Sequence, residues 1–127
     1  MGKIIATKKS EVSQSFLDYF TFGHLLFGMI SFFIGHLFFD FAFSLWITSL
    51  AATAWELIEN NFKIFRRIRG KMGRPEKDSL LNSISDIIFT NVGGLLAFLF
   101  PEEFLAIVIN LIIVCLVSWL VQIQKDD

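Results

Sequence analysis

One cysteine, Cys115, is all that the 127-residue chain contains, so no internal disulfide can form, and no Cys/His spacing suggests a zinc site. Charged residues are scarce as well, at 18% against roughly 25% in soluble domains. The opening stretch "MGKIIATKKSEVSQS" lacks the long apolar core of a signal peptide, and Ala6 stands where a myristoylation signal wants Ser or Thr. No nucleophile elbow, glycine-rich phosphate loop or lysine positioned for a Schiff base is found, which argues against standard hydrolase, nucleotide-binding and retinal classes. Gly93-Gly94 suits close helix packing better than phosphate binding. Period-2 alternation is absent, so a β-barrel is not expected. Neither an internal repeat nor a low-complexity linker divides the chain, and one domain spanning residues 1–127 is expected.

What is present is apolar. Hydrophobic residues make up 54% of the chain, sixteen of them Phe, and the mean hydropathy is +0.63. Four stretches are long enough to cross a bilayer core, which takes about 20 mostly apolar residues. They run from Phe16 to Phe39, Phe41 to Phe62, Ser79 to Phe100 and Glu103 to Ile123, with a basic loop over 63–78. Asp40 punctuates the first junction and the "FPEE" around Pro101 the third. Links this short make hairpins. The expected fold is therefore all-α, a multi-pass integral membrane protein with four transmembrane helices in an antiparallel bundle.

The charges orient that bundle. All eleven Lys and Arg residues fall in the N-terminal segment, in or beside the middle loop, or in the C-terminal tail. An even number of spans puts those three segments on one side, and the positive-inside rule makes that side, with both termini, cytoplasmic.

Polar residues inside the spans then fall at one depth. Glu56 lies about 9 Å from the cytoplasmic end of the second span, Asp86 about 10 Å into the third, and His24 about 12 Å into the first, at 1.5 Å of rise per residue. Angle agrees with depth. Glu56, Glu59 and Asn60 share a face at i+3 and i+4, and Ser49 and Ala52 continue it. Asp78, Asn82, Ser85, Asp86 and Gly93 fall in a sector of roughly 100° on the third span. His24, Gly28, Ser31 and Gly35 form a stripe on the first. Each helix is expected to turn this stripe inward and its Phe, Leu and Ile outward. Ionisable groups in a membrane are costly, roughly 2.5–3.5 kcal/mol each at the centre, and usually face the bundle interior or a wet cavity. Several at one level beside a basic loop point to one site. The competing explanation is that the acids pair with Arg66, Arg67 or Arg69 and the amides tie helices together.

The motifs "DYFTFGHLLFG", "AWELIENNFKIFRRIRG" and "DSLLNSISD" resemble an uncharacterised family of small bacterial inner-membrane proteins bearing a domain of unknown function. The three blocks match in order and cover roughly Asp18 to Leu99. More distantly, His24, Glu56, Glu59, Arg67 and the "DSLLNS" block resemble the pattern of VanZ-like proteins, a membrane family associated with glycopeptide resistance. The resemblance implies a site drawn from His24, Gly28, Trp55, Glu56, Glu59, Asn60, Arg67, Arg69, Asp78, Ser79, Asn82, Ser83 and Asp86, and it implies no particular reaction. The chain departs from the close family at Phe27, where a second His is usual, and at Lys77, where Gly usually precedes the Asp.

Three functions are weighed. In the first, the site binds, or binds and processes, a lipid or lipid-linked headgroup. Arg67 and Arg69 would hold a phosphate, since a guanidinium fork matches its geometry, with Asn60, Asn82, Glu59 and Asp78 around it. Glu56, Asp86 and His24 would be the catalytic groups, and Glu56, Glu59 and Asp86 the ligands of a divalent cation. The second is a proton or cation pathway in an oligomer, extended outward by Thr90, Asn91 or Asn110. The third is a membrane scaffold without catalysis. The expected partners are membrane lipids, with anionic headgroups drawn to the basic loop, and a homo-oligomer if the chain conducts. Nucleic acid is not expected.

Overall fold

Asp40 and Ser79 mark where two of the helices begin. The Asp40 carboxylate accepts a hydrogen bond from the Phe43 backbone N–H at 2.9 Å, and the Ser79 hydroxyl accepts one from the Asn82 N–H at 3.1 Å. Each satisfies a donor that the first helical turn leaves without an intrahelical partner. The computed structural model describes residues 4–5, 16–17, 20–71 and 79–125. Within these it contains five helices: α1 (Phe20–His36), α2 (Phe41–Asn61), α3 (Lys63–Lys71), α4 (Leu80–Leu99) and α5 (Phe104–Lys125). The helices α2, α4 and α5 are long and apolar enough to cross a membrane, and on length and composition the chain is a membrane protein. α1 is apolar but shorter, with 17 residues.

Two departures from the sequence expectation stand out. The first helix begins at Phe20 rather than Phe16, because the backbone before it is committed elsewhere. The Leu17 N–H donates to the Ile4 carbonyl at 2.6 Å, and the Phe16 carbonyl accepts from the Ser85 hydroxyl. The segment 63–78, expected as a basic loop, opens instead with a nine-residue helix. Phe62 is extended at φ −82° and ψ 132°, which ends α2 and lets α3 start in a new direction. Lys and Arg are good helix formers, and Ile64, Phe65 and Ile68 fall on one side of α3. Phe65 packs edge-on to Trp55 of α2, ring centroids 5.5 Å apart, which ties α3 to the end of α2. Lys63, Arg67 and Lys71, at i and i+4 spacing, form an exposed basic stripe beside Ile64 and Ile68, which are themselves exposed.

α4 packs chiefly against α1; α2 lies against both, and α5 lies on α1. Contacts along α1 and α4 advance together: His24 meets Asp86, Gly28 lies against Thr90, and Phe32 lies against Gly94. Contacts with α2 run the other way. Gly35 faces Ser44, and the Ser49 hydroxyl donates to Asn91 Oδ1 of α4 at 2.6 Å. The approach of α1 to α4 is so close that a Cβ on Gly28 would lie 2.6 Å from the Thr90 carbonyl carbon. One on Gly93 would lie 2.9 Å from that of Leu25. Only glycine permits such backbone-to-backbone contact.

The inward face is mixed rather than purely polar. Met29 and Phe32 of α1 are 0% and 1% exposed and, with Ala97, form the apolar core, against which Phe41, Leu45 and Leu111 also pack. That corrects the expectation that Phe faces outward throughout. Small polar residues fill the rest of the interior: Ser44, Thr48, Ser85 and Thr90 are all buried. The α5 span contributes no buried residue at all.

Candidate functional site

The site grows from three helices at the end of the molecule nearest α3. On α2 the buried positions Ser44, Thr48, Ala52 and Glu56 recur every fourth residue, so a single stripe carries Glu56 inward. On α4 the same logic buries Asn82, Ser85, Asp86 and Thr90. His24 sits one turn into α1, on the flank that meets Asp86. Because α1 starts late, His24 lies only about 6 Å from its helix terminus, about half the depth expected from sequence.

These three side chains converge. His24 Nε2 is 3.1 Å from Asp86 Oδ2, and one ligand atom each from His24, Glu56 and Asp86 all lie within 4.8 Å of one another. The surroundings are nearly dry, with side-chain exposures of 13% for His24 and 5% for Asp86, and Glu56 6% exposed as a residue. Asn60, one turn beyond Glu56, donates from Nδ2 to the Glu56 carbonyl at 2.8 Å and to Glu56 Oε2 at 3.2 Å, which fixes the carboxylate's direction. Glu56 Oε1 is buried, and no hydrogen-bond donor reaches it among the described residues. Two carboxylates this close repel by about 3 kcal/mol at an effective dielectric constant of ~20. The arrangement therefore favours positive charge between them, supplied by an imidazolium, a shared proton, a nearby basic group or a divalent cation.

The remaining residues singled out from sequence are distributed differently. Asn82 is buried at 2% one turn before Asp86, and Glu59 is half-buried one turn after Glu56. Arg67 is exposed on α3, and no described ion pair joins it to the acids. The Arg69 side chain and all of Asp78 lie outside the described residues, as do Arg74 and Lys77. Asn91 is half-buried and engaged with Ser49, while Asn110 is exposed with its amide donating to Ala106. Away from the site, the other histidine, His36, and Asp40 sit at the opposite end, both exposed: His36 Nδ1 lies 3.1 Å from the Phe39 carbonyl, and Asp40 caps α2.

Of the hydroxyl ladder above the acids, sequence reasoning named Thr90 and missed Ser44 and Thr48. Thr90 donates to the Asp86 carbonyl at 2.7 Å and Thr48 to that of Ser44 at 2.9 Å. The fourfold spacing from Ser44 to Glu56 was the available signal.

Comparison with known proteins adds lineage. A UPF0314 protein of Paracoccus denitrificans (strain Pd 1222) is 34% identical over 124 residues, covering 91% of this chain and 62% of that protein. A UPF0314 protein of Agrobacterium fabrum (strain C58 / ATCC 33970) is 32% identical over 119 residues, covering 87% and 58%. The chain thus spans about three fifths of the length of the curated relatives it matches. No solved structure matches it. The model of the family described as "Protein of unknown function (DUF2585)" matches residues 3–125, nearly the whole chain, and the chain belongs to that family.

Proposed function

We propose that the chain is a four-span membrane protein, both termini cytoplasmic, that binds the phosphate-bearing headgroup of a lipid or lipid-linked molecule at a site in the inner leaflet. The observation that carries this reading is the convergence of His24, Glu56 and Asp86 from three helices within one dry cluster. A cluster that only held helices together would be served by one such pair. The short helix α3 adds support. It leaves the end of α2 close to the cluster, with Lys63, Arg67 and Lys71 exposed beside an exposed apolar stripe. That amphipathic pattern suits a helix lying in the headgroup plane. Anionic lipid is drawn to it by about 1 kcal/mol per basic residue near the surface. The distant VanZ-like resemblance is compatible with this reading and supplies no reaction.

Binding is favoured over conduction by what lies beyond the acids. Met29 and Phe32 fill the interior there, and the Thr48 and Thr90 hydroxyls donate to carbonyls of their own helices. Asn110, a candidate for extending a wet path, is exposed on α5.

The test is lipid retention. Wild type, Glu56→Gln and Asp86→Asn are purified in mild detergent and offered phosphatidic acid, phosphatidylglycerol, a polyprenyl phosphate and a neutral diacylglycerol. Bound lipid is then counted by native mass spectrometry. Wild type should retain a phosphate-bearing lipid, while both variants, still monodisperse, should lose it. Equal retention by all three proteins would remove the proposal.

A further inference from the structure

We propose that His24 Nε2 and one carboxylate oxygen each from Glu56 and Asp86 form a binding site for a single divalent transition-metal ion of the Zn²⁺ or Mn²⁺ class. The inference rests on the headgroup reading's cluster and deepens that reading, since a cation at this point would meet a lipid phosphate; the donor chemistry is what it adds.

Geometry comes first. Ligands on a metal with bonds of about 2.1 Å stand roughly 3.0–3.4 Å apart when adjacent, and His24 Nε2 and Asp86 Oδ2 are 3.1 Å apart. The whole set lies within 4.8 Å, so small rotations about side-chain bonds would bring all three atoms to ligating distance of one ion. The three ligands come from three helices, and a four-coordinate ion held by them would keep one position for water or a phosphate oxygen.

The donor set comes second. One imidazole and two carboxylates offer borderline nitrogen and hard oxygen together, which suits Zn²⁺, Mn²⁺ or Fe²⁺ better than the all-oxygen preference of Ca²⁺ and Mg²⁺. Two carboxylates with a neutral imidazole bring two negative charges to the ion. Orientation comes third. Asn60 donates to Glu56 Oε2, the kind of outer hydrogen bond that fixes a ligating carboxylate. The cluster is also shielded from bulk water, which strengthens ligation once an ion is in place.

The experiment uses the 127-residue chain in detergent without added phospholipid, stripped with chelator and titrated with Zn²⁺ by calorimetry, with Co²⁺ as a spectroscopic probe. Wild type should bind one Zn²⁺ per chain, and Co²⁺ should show the visible absorption of nitrogen-and-oxygen ligation. Asp86→Asn and Glu56→Gln, which preserve shape, should each weaken binding at least a hundredfold. His24→Gln should do so as well and should change the Co²⁺ spectrum. His36→Ala, which removes the other histidine, should leave affinity and spectrum unaltered. A melting shift on adding Zn²⁺, present in wild type and absent in Asp86→Asn, separates ligand loss from misfolding. Sub-stoichiometric binding, or equal affinity in wild type and all three ligand variants, overturns the site. Loss of the metal result with lipid retention intact overturns this inference alone. Stoichiometric metal binding without lipid retention removes the headgroup reading and leaves the metal site standing.

Discussion

Substituting Gly28 by alanine tests the closeness on which the cluster depends. The added methyl would lie 2.6 Å from the Thr90 carbonyl carbon, where an ordinary carbon contact needs about 3.5 Å or more. The Thr90 carbonyl oxygen lies closer still; the obstacle is backbone, so it cannot rotate aside, and α1 and α4 must part by at least about 1 Å. Two effects then compete. Alanine favours a helix over glycine by at most about 1 kcal/mol. Overpacking costs about 1–3 kcal/mol and sometimes more. The net expectation is a loss of about 1–2 kcal/mol. The same movement acts one turn away on His24 and Asp86, stretching their 3.1 Å contact to about 4 Å, beyond hydrogen-bonding range. Gly23 is the internal control, on the same helix but with nothing within 4 Å of its built Cβ. Gly23→Ala should melt at or slightly above wild type. Thermal unfolding in detergent, followed by size-exclusion recovery after heating, measures both variants. If Gly28→Ala is as stable as Gly23→Ala, the close approach is not a constraint and the packing argument fails.

Two further outcomes follow from single contacts. Ser49→Ala and Asn91→Ala should show a coupling energy of about 0.5–1.5 kcal/mol in a double-mutant cycle, as interhelical hydrogen bonds in membranes do, and additive effects would contradict a bond between them. Replacing Lys63, Arg67 and Lys71 together by Gln should cut the enrichment of phosphatidylglycerol over phosphatidylcholine in lipid that co-purifies with the protein. The scale is about 1 kcal/mol per charge, and undiminished enrichment would show that α3 does not face anionic headgroups.

Much of the architecture was readable in the residues, and the failures have physical causes. Helix positions followed from apolar run length, so α2 and α4 fall within a residue of their expected bounds. The meeting of Glu56 and Asp86 followed from depth and angle, because helical rise and turn are fixed quantities, while His24 joins them from a helix that starts later than its apolar run suggests. α3 was hidden because its many charges read as a loop, although Ile64, Phe65 and Ile68 already marked one face. The burial of Phe32 was hidden for a deeper reason. Where lipid replaces water, an apolar side chain gains little by choosing the inside, so hydrophobicity no longer separates core from surface. Arg67 was placed at the cluster by charge logic and by the family resemblance, and no packing pattern fixed its direction.

The shortness of α1 has a bearing on the lipid around it. Seventeen residues make a rod of about 25 Å, against roughly 30 Å of hydrocarbon in an average bilayer. If α1 spans the bilayer, as the proposed four-span arrangement has it, the surrounding leaflets must dimple toward this helix or leave its ends in the interfacial layer. Either adjustment lowers the wet boundary toward the first turns of α1, where His24 sits. Bilayers of shorter acyl chains relieve the mismatch and thicker ones aggravate it, so membrane thickness becomes a dial on how readily solutes reach the imidazole.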